Sequence, residues 1–486
     1  MESTQGTFRR EIRLVDGVML VAGTMIGSGI FIVSADIARN VGSSGYLLLV
    51  WALSGFLTIV AALCYGELTS MFPKAGGQYV FLREAYNPMM GFLYGWTYFF
   101  VIQTGTIAAV AVAFSKFTGV FIPLFGPGYI VADVGLLKIT TQQVLAIIII
   151  ALLTFVNIQG VRYGKWIQTF FSATKILALF GLIAIGIFVS NSEAVMQNFS
   201  HIWDAKKVVV ENNQLIGRVP ISGWAVIVAV ASAMVGSMFS MDAWNGITFT
   251  GDEVVNPKRN IPLSMAIGVG LVSLIYLLMN IVYLTNLPLE GIPGEATRVV
   301  FERGIQFATD DRVGVAAADA MAGHTAVLMV AALIMLSTFS CLNGLILTAP
   351  RMFYKMAEDR LFFSRMGKLN SHGVPAVATI FASVWASLLC LSGTYGNLLD
   401  YVVFAVLLFY IFTIIGIFVL RRKMPDVRRE YKTFGYPVLP LIYIVLISMI
   451  CFILLLYKSN YTVPGLFIVA LGVPAYYLFR SSARKE

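Results

Sequence analysis

Charge is what this sequence has least of. Asp, Glu, Lys and Arg together make up 12% of its 486 residues, about half the share usual in a soluble domain. A chain this long would ordinarily form two or three soluble domains, and this composition excludes that. Histidine is nearly missing as well: His201, His324 and His372 are scattered, with no metal-ligand spacing. The four cysteines, Cys64, Cys341, Cys390 and Cys451, all fall in apolar runs, so no disulfide framework is expected. There is no phosphate-binding loop, nucleophile motif or zinc-protease helix. After the apolar runs are subtracted, no soluble length remains for a nucleotide-hydrolysing domain. Neither an enzyme nor a bound cofactor or metal is expected. Residues 1–13 are polar and lead into an apolar run too long for a signal-peptide core, so no cleavable signal is expected.

Apolar residues are what the chain has in quantity. They make up 58% of it, and the mean hydropathy is +0.82. They come in blocks of about 20 residues, the length that crosses a bilayer as a helix. Backbone groups in lipid must be satisfied within the segment, which leaves helices or a closed barrel, and the alternating ten-residue strands of a barrel are not visible. The expected fold is an all-α membrane protein of twelve spans, at 14–38, 45–71, 88–121, 141–158, 166–190, 224–251, 262–288, 324–357, 375–392, 397–420, 437–457 and 462–479. The stretch 73–88 is an inner connection too amphipathic to span.

The formal net charge of +9 would suit a nucleic-acid partner, but its distribution has another cause. With the N-terminus inside, 23 of the 34 Lys and Arg residues fall on inner segments and 10 on outer ones, with Lys175 within a span. Such asymmetry orients membrane helices. It puts both termini in the cytoplasm, and no nucleic acid is expected.

The layout suggests a repeat of five spans. Spans 3 and 8 are both long, and spans 1 and 6 both carry polar, glycine-rich interruptions. An odd number of spans per copy inverts the second copy, and paired interruptions of this kind point to a transporter site. The expected organisation is a cytoplasmic segment 1–13, a first repeat 14–190, an outer connection 191–223, an inverted repeat 224–420, a basic cytoplasmic loop 421–436 and a final pair of spans with the C-terminus, 437–486.

The first interruption runs from Gly23 through Thr24, Met25, Ile26, Gly27 and Ser28 to Gly29. Each glycine costs about 1 kcal/mol relative to alanine in a helix, which favours an unwound turn. The N–H groups opening the next half-helix would suit a carboxylate. Close helix packing through Gly23 and Gly27 is the competing reading. The second interruption holds Phe239, Asp242 and Asn245 at mid-span. Carbonyls freed there could accept from an ammonium group, whereas Asp242 could instead cap the second half-helix. A carboxylate at membrane depth costs roughly 2.5–3.5 kcal/mol, so it faces protein or water. Lys175 is the one basic residue read as deep. It either reaches the interface along its stem or holds oxygens of spans 1 and 8 as a cation would. Glu67 reads as structural, and Asp36 and Asp400, near span ends, as solvated or capping.

These runs resemble the amino acid–polyamine–organocation superfamily, and within it the L-type amino acid transporter branch. The residues Gly23 to Phe31 look like its first-helix signature, Pro73 to Gly77 with Tyr79 like its inner loop, Phe239 to Asn245 like its sixth-helix break, and Asn256-Pro257 with Arg259 to Pro262 like the loop that follows. The resemblance covers spans 1 to 10. It implies a LeuT-like 5+5 inverted repeat with broken helices 1 and 6, followed by spans 11 and 12. It implies a sodium-independent exchanger of neutral amino acids in the cell membrane. In that reading the amides around Gly27, Ser28 and Gly29 hold the substrate carboxylate, and the carbonyls of Met25, Phe239 and Asp242 hold its amino group. The Phe239 ring gates the outer side, Asn245 lines the pocket, and Lys175 with Ser337 replaces a sodium ion. Animal members of the branch bond a heavy chain through a cysteine after span 3. Residues 122–140 contain none, so the chain looks like a bacterial member without that partner. The partners expected are a small amino acid and the lipid bilayer. Proton-coupled symport, exchange of cationic amino acids or polyamines, and binding without transport stand as alternatives.

Overall fold

The structure is a computed structural model. It describes residues 8–483 except 127, 134–137, 212–213, 294–296, 298 and 392–394. Arg298, Arg484 and Lys485, which enter the charge asymmetry, lie outside the described residues, as does the side chain of Asp400.

Helices dominate. In chain order they are α1 (Leu14–Met25), α2 (Gly29–Val41), α3 (Ser44–Met71), α4 (Gly77–Ala85), α5 (Pro88–Thr97), α6 (Gln103–Thr118), α7 (Thr141–Ile158), α8 (Val161–Phe188), α9 (Ser192–Phe199), α10 (Trp224–Ser240), α11 (Pro257–Asn286), α12 (Val300–Arg303), α13 (Val313–Thr348), α14 (Pro350–Glu358), α15 (Ala376–Cys390), α16 (Tyr395–Lys423), α17 (Val438–Tyr457) and α18 (Ser459–Ala483). Among the described residues ten helical stretches, counting α5 through α6 and α10 through Glu253 as one each, are long and apolar enough to cross a membrane. The bent pair α1–α2 makes an eleventh, and α15 is apolar but shorter.

Local signals explain the boundaries. The α2 helix ends on left-handed Gly42 at φ +53, and the Ser43 hydroxyl then accepts from Tyr46 N–H to start α3. Asn87 caps α5 ahead of Pro88, and Thr140 caps α7 reciprocally with Gln143. Between α5 and α6 the chain passes through a π-turn at Tyr98–Ile102. The α13 helix is kinked at Ala322 and Gly323.

Three features correct the sequence expectation. The fold is not wholly α, because antiparallel hairpins lie in two connections between helices: β1 (Ile130–Asp133) with β2 (Lys138–Thr140), and β3 (Lys206–Glu211) with β4 (Gln214–Pro220). They are short, which hid them in a search for apolar runs of about 20 residues. Helices α8 and α11 each begin 5 residues before the expected spans, with their starting turns outside the apolar window, whereas the part of α13 after its kink at Ala322 and Gly323 begins at the expected 324. The interrupted sixth span continues as a 3₁₀ helix, Trp244–Glu253, rather than an α-helix.

Packing brings the broken elements to the centre. The α11 helix runs along α3 and against α1, α10 lies on α2, and α13 packs on α6 and α8. Glu67 of α3 is buried and structural: Arg421 binds its carboxylate bidentately at 2.9 and 2.7 Å, and Thr433 N–H adds a bond of 2.8 Å. Asp36 is exposed beside Arg39 and Asn40.

Candidate functional site

The first break is three residues long. The α1 helix ends at Met25, α2 starts at Gly29, and the two halves are bent by 41°. Buried carbonyls freed by such a break must find donors, and here they do. Gly23 O and Ile26 O accept from Lys175 Nζ at 2.6 and 2.7 Å. Thr24 O accepts from the Cys341 thiol at 2.9 Å. Met25 O accepts from Gly27 N–H and from the Tyr276 hydroxyl, each at 2.9 Å. Ser337 Oγ donates to Ile26 O at 2.9 Å and approaches Gly27 O at 3.4 Å. At the start of α2, the first N–H groups have no carbonyl of their own helix to reach.

The two readings of the glycines both hold. A Cβ on Gly23 would lie 1.8 Å from Ser172 Oγ of α8, and one on Gly27 would lie 3.2 Å from Cys341 Sγ of α13. The glycines thus face different neighbours, and the chain is both closely packed and unwound.

Lys175 is fully buried. Its ammonium sits on Gly23 O and Ile26 O, with Ser337 O at 3.3 Å. It does not reach an interface along its stem; its donors are spent on the break and on α13.

The second break is Met241, Asp242 and Ala243. Ala243 takes the left-handed conformation at φ +67 and occupies the cap position of the 3₁₀ helix. For a non-glycine residue this costs roughly 1–2 kcal/mol. Asp242 is not the capping residue; its carboxylate accepts from the Tyr410 hydroxyl of α16 at 2.5 Å. Phe239 O already accepts from Asp242 N–H at 3.1 Å. Asn245 donates to Gln78 Oε1 at 3.1 Å, and Gln78 donates to Thr413 at 2.9 Å. Two cavities flank this break, each of about 10 Å³, room for about one water. Phe239 and Asp242 line the one facing α3, α16 and α17. Asp242 and Asn245 line the one facing α6 and the π-turn. Met25, Gly27, Ser28 and Gly29 line neither.

The breaks touch each other. A Cβ on Gly29 would lie 2.1 Å from Ser240 Oγ and 3.2 Å from Ser240 Cα. Tyr276 stands across the junction, its hydroxyl 2.9 Å from Met25 O and 3.2 Å from Ser240 O. The breaks are therefore closed on one another, and an amino acid between them requires their separation. Sequence reasoning missed Tyr276, Cys341, Tyr410 and Gln78. The one signal available was a polar group inside an apolar run.

The N-terminal side of the site is sealed. Ile12 pairs with Val254, with Glu11 N–H and Ile12 N–H on Glu253 O at 2.9 and 3.0 Å. Arg351, counted among the inner-loop charges from sequence, is wholly buried against Glu253 at 3.1 Å, and both side chains have 0% exposure. Nearby, Arg83 and Tyr79 both donate to Asp359. Burial and the Asp359 charge push the Tyr79 phenol well above its ordinary value.

Among the described residues no group of three or more His, Cys, Asp or Glu could hold a metal ion. Comparison with known proteins gives the same direction throughout. A family model described as amino acid permease matches residues 12–479. The b(0,+)-type amino acid transporter 1 of Mus musculus is 29% identical over 479 residues, covering 97% of this chain and 88% of that protein. The large neutral amino acids transporter small subunit 2 of Homo sapiens is 31% identical over 472 residues, covering 97% of this chain and 80% of that protein.

Proposed function

The chain belongs to the amino acid permease family, is a multi-pass membrane transporter of amino acids rather than an enzyme, and from that premise we propose that it exchanges neutral L-amino acids without sodium by alternating access. The observation that carries this is Lys175. Its ammonium occupies a cage of carbonyls from Gly23, Ile26 and Ser337, with the charge and coordination a monovalent cation would need between the first break and α13.

In this proposal twelve spans form two inverted five-span repeats, 14–190 and 224–420, followed by two further spans in 437–486, with both termini in the cytoplasm and the protein in the cell membrane. When the breaks part, the amides of Gly27, Ser28 and Gly29 take the carboxylate. The carbonyls of Met25, Phe239 and Asp242 take the ammonium, which displaces Tyr276 from Met25. Phe239 gates the outer side, Asn245 lines the pocket, and Ser337 with Lys175 holds the first break open-turned. The human relative's name supports neutral substrates. That name also calls the relative a small subunit. Here all four cysteines are buried and 122–140 has none, so we propose that no disulfide-linked partner is required.

The test is uptake of labelled amino acid into proteoliposomes. Exchange predicts strong stimulation by internal unlabelled substrate and no response to a sodium gradient. Uptake driven by sodium removes the role given to Lys175. Accumulation in empty vesicles under a pH gradient makes the protein a proton symporter instead.

A further inference from the structure

On the N-terminal side, away from the two breaks, the chain forms an open groove of about 1270 Å³ between the start of α1 and the start of α8. Its polar wall carries Arg10, Arg13, Arg162 and Lys165. Lys165 is committed, donating to Glu11 O at 2.9 Å and pairing with Asp16 at 3.5 Å. Asp16 also accepts from Thr169. The guanidinium groups of Arg10, Arg13 and Arg162 carry no ion pair among the described residues. The groove is thus lined by four basic residues and two acidic ones, Glu11 and Asp16, and Asp16 is already held by Lys165 and Thr169.

The other wall is apolar and faces outward. Val15 is 63% exposed, Tyr163 61%, Trp166 66% and Phe170 53%. Positions 163, 166, 170 and 177 fall on one stripe of α8, and Leu177 extends it deeper at 72% exposure. The Trp166 and Phe170 rings lie parallel, 4° apart in plane and 5.6 Å between centroids. In a span that crosses a bilayer this stripe meets lipid, and Tyr163 and Trp166 stand at the depth where aromatic side chains meet headgroups.

We propose that this groove is a binding site for an anionic phospholipid of the leaflet on the N-terminal side. The anionic phosphate would be held by Arg10, Arg13 and Arg162, whose forked donors match phosphate oxygens. One acyl chain lies along Trp166, Phe170 and Leu177. Charge and shape agree on this occupant: a soluble anion would leave the aromatic stripe unused, and a zwitterionic lipid would bring no net charge to a groove lined by four basic and two acidic side chains.

The experiment uses the full chain in nanodiscs and phospholipids brominated in their acyl chains, which quench tryptophan on contact. The expected result is stronger quenching by brominated phosphatidylglycerol than by brominated phosphatidylcholine, with a preference of roughly tenfold, given the attraction each basic side chain exerts near an anionic leaflet. Trp166→Phe, an exposed conservative change, removes the excess quenching. Arg10→Gln/Arg13→Gln/Arg162→Gln brings the preference close to one. The matched variant Arg422→Gln/Arg428→Gln/Lys432→Gln, which removes the same charge from the 421–436 loop, keeps it. Circular dichroism reports whether each variant is folded, and the Trp166→Phe result stands if the arginine variant is not. Equal quenching by the two lipids, excess quenching that survives Trp166→Phe, or equal loss in both triple variants overturns the proposal.

Discussion

The two breaks sit face to face but are built in opposite ways. The first is made of backbone. Its carbonyls at Gly23, Thr24, Met25 and Ile26 are met by side chains from α8, α11 and α13, and neither cavity beside the second break touches it. The second is made of side chains. Left-handed Ala243 turns it, Asp242 and Asn245 project into bonds with Tyr410 and Gln78, and small cavities open on both sides. A backbone break can read only what all amino acids share. A side-chain break can discriminate among them. In the function proposed above, backbone of both breaks reads the common part of a substrate, and only the second break adds side chains for the variable part.

The sharpest way to break that contrast is Lys175→Ala. It strips the ammonium from Gly23 O and Ile26 O, and an orphaned buried carbonyl costs about 1–3 kcal/mol. Exchange in proteoliposomes is expected to fall by roughly a hundredfold or more at equal protein incorporation; retained exchange would mean the first break needs no brace. Next comes Gly29→Ala, whose new Cβ would collide with Ser240. Overpacking of this kind costs about 1–3 kcal/mol. A drop of roughly tenfold in exchange is expected on that scale, recovered in large part by Ser240→Gly in the same chain. Failure of the second change to rescue the first would separate the two breaks. Tyr276→Phe removes the hydroxyl that spans them, worth about 1 kcal/mol, and is expected to slow exchange about fivefold without changing which amino acids compete. The smallest effect on rate, and the one that tests the division of labour, is Asp242→Asn. Turnover of the best substrate should change little, while the order of competitors in a panel of the twenty amino acids shifts. An unchanged order would move selectivity off the second break.

Much of the fold was legible because lipid imposes a simple rule. Apolar blocks at 45–71, 141–158 and 437–457 match α3, α7 and α17 to within a residue or so. Helix starts at α8 and α11 were not legible, since their opening turns are polar and no longer obey that rule. Arg351 shows the same limit. From sequence it is one more inner-loop cation, yet it lies buried on Glu253, because a pair 98 positions apart leaves no local trace. The glycines of the first break posed a choice between packing and unwinding. The structure gives both, since Gly23 meets α8 and Gly27 meets α13, and periodicity along one helix cannot say which neighbour each residue faces.

By itself the sequence determined that the chain lives in a membrane, where its spans run, that two of them are interrupted, and that one lysine is stranded in the apolar interior. These follow from local composition, because solvation by lipid acts on each segment separately. Only the tertiary structure decided what the interruptions are bonded to: that Lys175 braces the first break, that Tyr276 stands across both, and that Asp242 is held by Tyr410. Hydrogen bonds act over about 3 Å, and the residues they join here are separated by 149, 251 and 168 positions.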